Sequence, residues 1–144
     1  MRRFRFRLQR VLDLRVQIRD EARQELVLRN AERDQQIYIL AQLQDEFLQL
    51  GLVTGGMYSA SDISRLAAYA ERLTIAIDRQ KVLVAEAIKA AEEAQERYIE
   101  ASKEAKTLEM LRDKKLEEFR IQELREEGAL LDELAVQKAA RDIH

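Results

Sequence analysis

The sequence predicts an all-α fold, a long antiparallel two-helix coiled-coil hairpin whose second helix is the longer, and three observations predict it. Residues 63–108 carry a heptad repeat with Ile63, Ala70, Ile77, Val84, Ala91, Tyr98 and Ala105 at a, and Leu66, Leu73, Gln80, Ala87, Ala94, Ala101 and Leu108 at d. Only Gln80 is polar, and a repeat of 3.5 residues keeps such a seam against a partner helix over many turns. An earlier apolar stripe has a similar spacing, and three of the four glycines fall between the two stripes, at Gly51, Gly55 and Gly56. Composition agrees: no proline, no tryptophan and 36% charged residues describe long helices rather than a thick core.

The first helix is expected over about residues 4–50. Its stripe starts at Phe4, Phe6, Leu8, Val11 and Leu12 and continues through Ile18, Ala22, Leu26, Ile37, Leu40, Leu43, Phe47 and Leu50, interrupted by Arg15, Arg29 and Arg33. A turn follows over about residues 51–60, where glycine lets the backbone reverse. The second helix is expected over about residues 61–127, with Ser59 or Ser61 as its cap and Asp62 favourable in its first turn. At 1.5 Å per residue the two helices span about 68 Å and about 100 Å, so the second overhangs the N-terminus by several turns. Past Leu108 the repeat changes phase, with Arg112 and Lys115 at the old a and d positions and Leu111, Leu116 and Phe119 shifting the stripe. Gly128 costs about 1 kcal/mol relative to alanine and leaves two readings, a second helix that continues through it or a separate short helix over about residues 129–142 with Leu130, Leu131, Leu134 and Ala135 on one face. The whole chain, 1–144, reads as a single hairpin domain.

Antiparallel pairing about the centre of the turn sets Phe47 near Ser64, Leu40 near Ala70, Leu26 near Val84, Leu12 near Tyr98 and Leu8 near Ala101. It places Gln80 opposite Arg29 and Asn30, a polar layer that costs stability and fixes register, because a slipped pairing would leave these groups against hydrocarbon. The same pairing brings the N-terminal arginines alongside Glu92, Glu93, Glu96, Glu100 and Glu104.

Several function classes find no support. Without cysteine there is no disulfide, thiolate nucleophile or cysteine-based metal site, and the single histidine, His144, sits at a terminus. Paired acids such as Glu92 and Glu93, or Glu117 and Glu118, lie on charged helical stretches, where a solvated face explains them better than acid–base chemistry that needs a cleft. Thr54, Gly55 and Gly56 lack the Lys-Ser/Thr ending of a phosphate-binding loop. An enzyme is therefore not expected, and neither a cofactor nor a metal. The start has no apolar run behind its charges, which does not suit a secretory signal, and no apolar stretch approaches the ~20 residues that span a bilayer.

Two stretches read as interaction surfaces. Arg2, Arg3, Phe4, Arg5, Phe6 and Arg7 could meet nucleic acid, an anionic membrane or an acidic protein, or simply pair with the facing glutamates; no RNA-binding fold or second basic patch accompanies them. Near the turn the apolar stripe widens, with Ala67, Tyr69, Ala76, Leu83 and Ile88 beside the seam and Ile37, Tyr38, Ile39 and Leu40 covering more than one face. Two helices bury only their shared seam, so this surface meets another protein or a second copy in a four-helix bundle.

Both ends of the chain resemble the FliJ family of bacterial flagellar export proteins. The residues that carry the resemblance are Phe4, Phe6, Leu8, Val11, Leu12 and Arg15 at the start, and Leu108, Glu109, Leu111, Lys114, Lys115, Phe119 and Leu131 to Ala135 at the end. The resemblance implies a non-catalytic cytoplasmic component of the flagellar type III export apparatus, peripheral to the inner membrane at the basal body. It implies a hairpin similar to the central stalk of rotary ATPases, inserted in the hexameric ring of the export ATPase, touching the cytoplasmic domain of the membrane export gate and escorting substrate chaperones. With that role, Arg5, Arg7, Lys114, Lys115 and Phe119 are expected to contact the ATPase. Leu40, Leu43, Phe47, Tyr69 and Leu73, chosen for stripe width, are expected to contact the gate. A generic coiled-coil scaffold, an injectisome-type stalk and a basic membrane or nucleic-acid binder are the alternatives.

Overall fold

A computed structural model describes residues 2–52 and 58–143; the expected turn residues Thr54, Gly55 and Gly56, and His144, lie outside them. The fold is an all-α helical hairpin of α1 (Gln9–Leu52, 44 residues) and α2 (Ala60–Asp142, 83 residues), with no strand among the described residues. Packing gathers in two compact units, Asp20–Glu100 on one hand and Met1–Arg19 with Ala101–His144 on the other, and each helix contributes to both.

In the unit Asp20–Glu100 the two helices run antiparallel. The Asp62 N–H donates to Ser59 Oγ at 3.1 Å while the Ser59 N–H donates to Asp62 Oδ2 at 3.2 Å, a reciprocal cap that satisfies two otherwise orphaned donors where α2 begins. Leu73, Gln80, Ala91 and Ala94 are buried, and all four belong to the heptad seam. The side chain of Gln80 donates to the Gln36 main-chain carbonyl at 2.9 Å and to Gln36 Oε1 at 2.7 Å.

This corrects the expected register: Gln80 meets Gln36 rather than Arg29 and Asn30. Arg29 instead bonds Glu25 and Glu32 on its own helix, at 2.8 and 3.0 Å, and the two carboxylates raise its pKa above the ordinary value. The displacement of more than one helical turn already exists beside the turn, where Leu50 and Gly51 share a groove with Ile63 and Leu66. Fitting of side-chain layers sets the stagger of the helices, and the midpoint of the connecting segment is a poor guide to it.

In the unit formed by Met1–Arg19 and Ala101–His144, Leu12, Ala101 and Ala105 are buried. Small alanine layers bring the helices close, and polar contacts flank them: Arg15 with Glu104 at 2.8 Å, Arg19 with Glu109 at 3.2 Å, and Arg112 Nε donating to Gln9 Oε1 at 3.0 Å. Helix α1 starts at Gln9, about a turn later than the sequence suggests, and residues 2–6 form an arm without regular structure. The reason is the alternation of Arg with Phe. With side chains switching faces at every residue, Phe4, Phe6 and Leu8 become half-buried against α2 while Arg3, Arg5 and Arg7 stay exposed, a separation that a helix would scramble. An extended arm also advances about 3.3 Å per residue against about 1.5 Å for a helix, so few residues carry it from Phe119, beside Phe4, to Glu126, beside Arg2.

Of the two readings at Gly128, the structure has the continuous helix. Helix α2 runs through the glycine, no described glycine has positive φ, and no proline interrupts the run. A cost of about 1 kcal/mol is too small to end a helix with good formers on both sides, because each further residue adds its own hydrogen bond. Residues 129–143 are exposed throughout, which makes them the overhang of this unit.

Candidate partner-binding surfaces

The first surface lies in the unit that holds the arm. The Phe4 and Phe119 rings meet at 5.7 Å between centroids, inclined by 55°, and the Arg112 guanidinium lies 5.6 Å from the centre of the Phe4 ring. These contacts hold the arm beside α2 and leave a groove of about 600 Å³ with Phe4, Phe6, Leu8, Leu111 and Phe119 along it and, at its rim, four cations, Arg3, Arg5, Arg7 and Lys115, with one carboxylate, Glu118, and Gln122. Lys115 has an exposed partner, Glu118, at 3.4 Å. Arg3, Arg5, Arg7 and Arg10 form no ion pair with any described residue.

Four of the five residues expected at the ATPase contact, Arg5, Arg7, Lys115 and Phe119, therefore come together at one groove. Lys114 is exposed and does not line it. Phe4 and Arg112, which fix the arm, were not singled out by the sequence for this surface. The signal for Arg112 was its position, a charged residue at the a site where the heptad changes phase. Chemically the groove offers apolar contact inside a cationic rim, and a chain segment mixing carboxylates with large apolar side chains satisfies both.

The second surface lies near the turn, in the other unit. Leu40, Leu43 and Tyr69 are half-buried and Phe47 is exposed, but Leu73 is 5% exposed and belongs to the seam. Leu73 is at a d position, and the heptad that places it inside outweighs the stripe width that suggested a surface role. Elsewhere in this unit Val27, Tyr38, Leu48 and Val82 are each more than half exposed, so it carries apolar surface beyond its seam. The Tyr69 hydroxyl donates to Glu46 Oε1, and this bond, helped by burial and by the carboxylate charge, raises the phenol's pKa above 10.0; Arg72, 5.9 Å from the ring, opposes the shift. The bond ties Tyr69 across the helix pair.

Among the described residues no helix is long and apolar enough to cross a membrane, and no cluster of His, Cys, Asp or Glu is arranged to hold a metal ion. A family model described as flagellar FliJ protein matches residues 4–143. No curated protein and no solved structure matches the chain.

Proposed function

The chain belongs to the FliJ family of flagellar proteins, and from that premise we propose that it is a non-catalytic stalk of the flagellar export apparatus, promoting assembly of the export-ATPase ring and coupling it to the membrane export gate. Family membership assigns the role in flagellar protein export; the groove between arm and α2 supports the finer reading. It gathers the aromatic and cationic residues from both ends of the chain into one surface, as a contact with facing loops of a ring requires. The second surface, at Leu40, Leu43, Phe47 and Tyr69, is the side offered to the cytoplasmic domain of the gate, and substrate chaperones are further partners. The protein works at the cytoplasmic face of the inner membrane.

The deciding experiment mixes the purified protein with the export ATPase of the same organism and follows ATP hydrolysis and ring formation. Saturable stimulation that is lost in R5E/R7E and in F119A, with helicity unchanged, is the expected result. Full stimulation by these variants would refute the groove as the contact. For the gate, F47A and Y69A should weaken binding to its cytoplasmic domain, and unimpaired binding would remove that assignment.

A further inference from the structure

We propose that the overhang of α2 is a docking segment for the arm groove of a second copy of this chain, so that free molecules associate reciprocally, tail to groove. The seam face of α2 that carries Phe119 and Glu126 continues past the last point at which the arm reaches it, and its next apolar residues, Leu130 and Leu134, are 57% and 52% exposed. Glu126, Leu130 and Leu134 follow one another at intervals of four, so the helix presents them on one face. Glu127 and Glu133 border that face, and neither forms an ion pair with a described residue. The tail is thus an apolar strip edged with unpaired carboxylates.

The groove in the same unit is its complement, an apolar channel edged with unpaired Arg3, Arg5 and Arg7. Arg2 already occupies Glu126, and the continuous α2 carries Glu133 and the two leucines past the end of the arm, so the groove of the same molecule does not cover them. A second copy satisfies both sets at once. If the tail of one copy enters the groove of the other, two-fold symmetry returns the same contact in reverse, and every docking is made twice. Steering by the arginines and glutamates would speed the encounter, and the leucines would hold it. The inference goes beyond the stalk reading and does not depend on it.

Sedimentation velocity of the full-length chain over a wide concentration range tests it without any partner. The expected outcome is a monomer–dimer equilibrium that shifts toward monomer as salt is raised, with L130E/L134E monomeric throughout. Both leucines are exposed, so that variant should keep wild-type helicity by circular dichroism. R3E/R5E/R7E and E127K/E133K should each dimerise at least tenfold more weakly alone, and an equimolar mixture of the two should recover a heterodimer. A wild-type chain that stays monomeric up to millimolar concentration overturns the proposal. So does a dimer unaffected by L130E/L134E, which would place self-association on another apolar face.

Discussion

The two units solve the same problem, holding a pair of antiparallel helices in one register, with different chemistry. In Asp20–Glu100 the device is a neutral amide buried in the seam, Gln80 clasping Gln36. In the unit of the two chain ends the seam is Leu12 with Ala101 and Ala105, with no buried polar residue among those described, and register is held from outside by Arg15, Arg19 and Arg112 and by an aromatic arm. A buried hydrogen bond is blind to salt and intolerant of slippage; flanking ion pairs are screened and adjustable. The first unit is built to stay as it is, the second to exchange contacts.

The largest effects should come from the seam itself. Leu73→Ala and Leu12→Ala, one in each unit, should each destabilise by about 2–4 kcal/mol in urea unfolding, since each empties a buried leucine site. Equal losses at low and high salt would show that both seams rest on apolar packing and that the contrast between units lies only in their flanks. Next comes Gln80. Gln80→Ala should cost about 1 kcal/mol, while Gln80→Leu should keep or raise stability yet let the helices of its unit populate a second register, visible as doubled amide resonances near Gln36. A single register in Gln80→Leu would mean that the surrounding layers fix the stagger without it.

Smaller still is the ion pair Arg15 with Glu104, each side chain about 40% exposed. A double-mutant cycle should give a coupling below about 1 kcal/mol that fades with added salt, whereas the same salt leaves the Gln80 to Gln36 coupling unchanged. The smallest effect is spectroscopic. Because the bond to Glu46 raises the pKa of Tyr69, the bond's contribution is full below pH 10.0 and disappears as pH climbs through the raised value. Alkaline titration of tyrosinate absorbance should contain a late component that Tyr69→Phe or Glu46→Gln removes; its persistence in Glu46→Gln would deny that bond its role.

The sequence made the inside of the molecule legible before it made the pairing legible. Leu73, Gln80, Ala91, Ala94, Ala101 and Ala105, all buried, lie in the heptad series, because periodicity is a property of one helix and is written locally. Stagger is a property of two helices, and a repeat that looks alike every seven residues fits at several offsets, so Gln80 was matched to Arg29 instead of Gln36. Gly128 leaves continuity undecided in the sequence for a related reason. A local penalty near 1 kcal/mol says little about a helix whose every neighbour favours continuing. At the candidate site, Lys115 and Phe119 are legible as part of a family motif and Arg5 and Arg7 as part of the arginine-rich start, and the four meet at a groove. At Leu73 two patterns, seam and stripe, overlap, and its burial follows the seam.

The arm has a practical consequence at the bench. Residues 2–6 lie outside any helix, so no ladder of main-chain hydrogen bonds shields their peptide links, and exposed arginines stand among them. Trypsin should therefore clip at Arg3 and Arg5 well before it cuts at arginines inside the helices. A preparation cut after Arg5 would run at almost its full mass and show nearly unchanged circular dichroism, while lacking the Phe4 that seats the arm. Intact mass should be checked before any loss of binding is charged to a mutation.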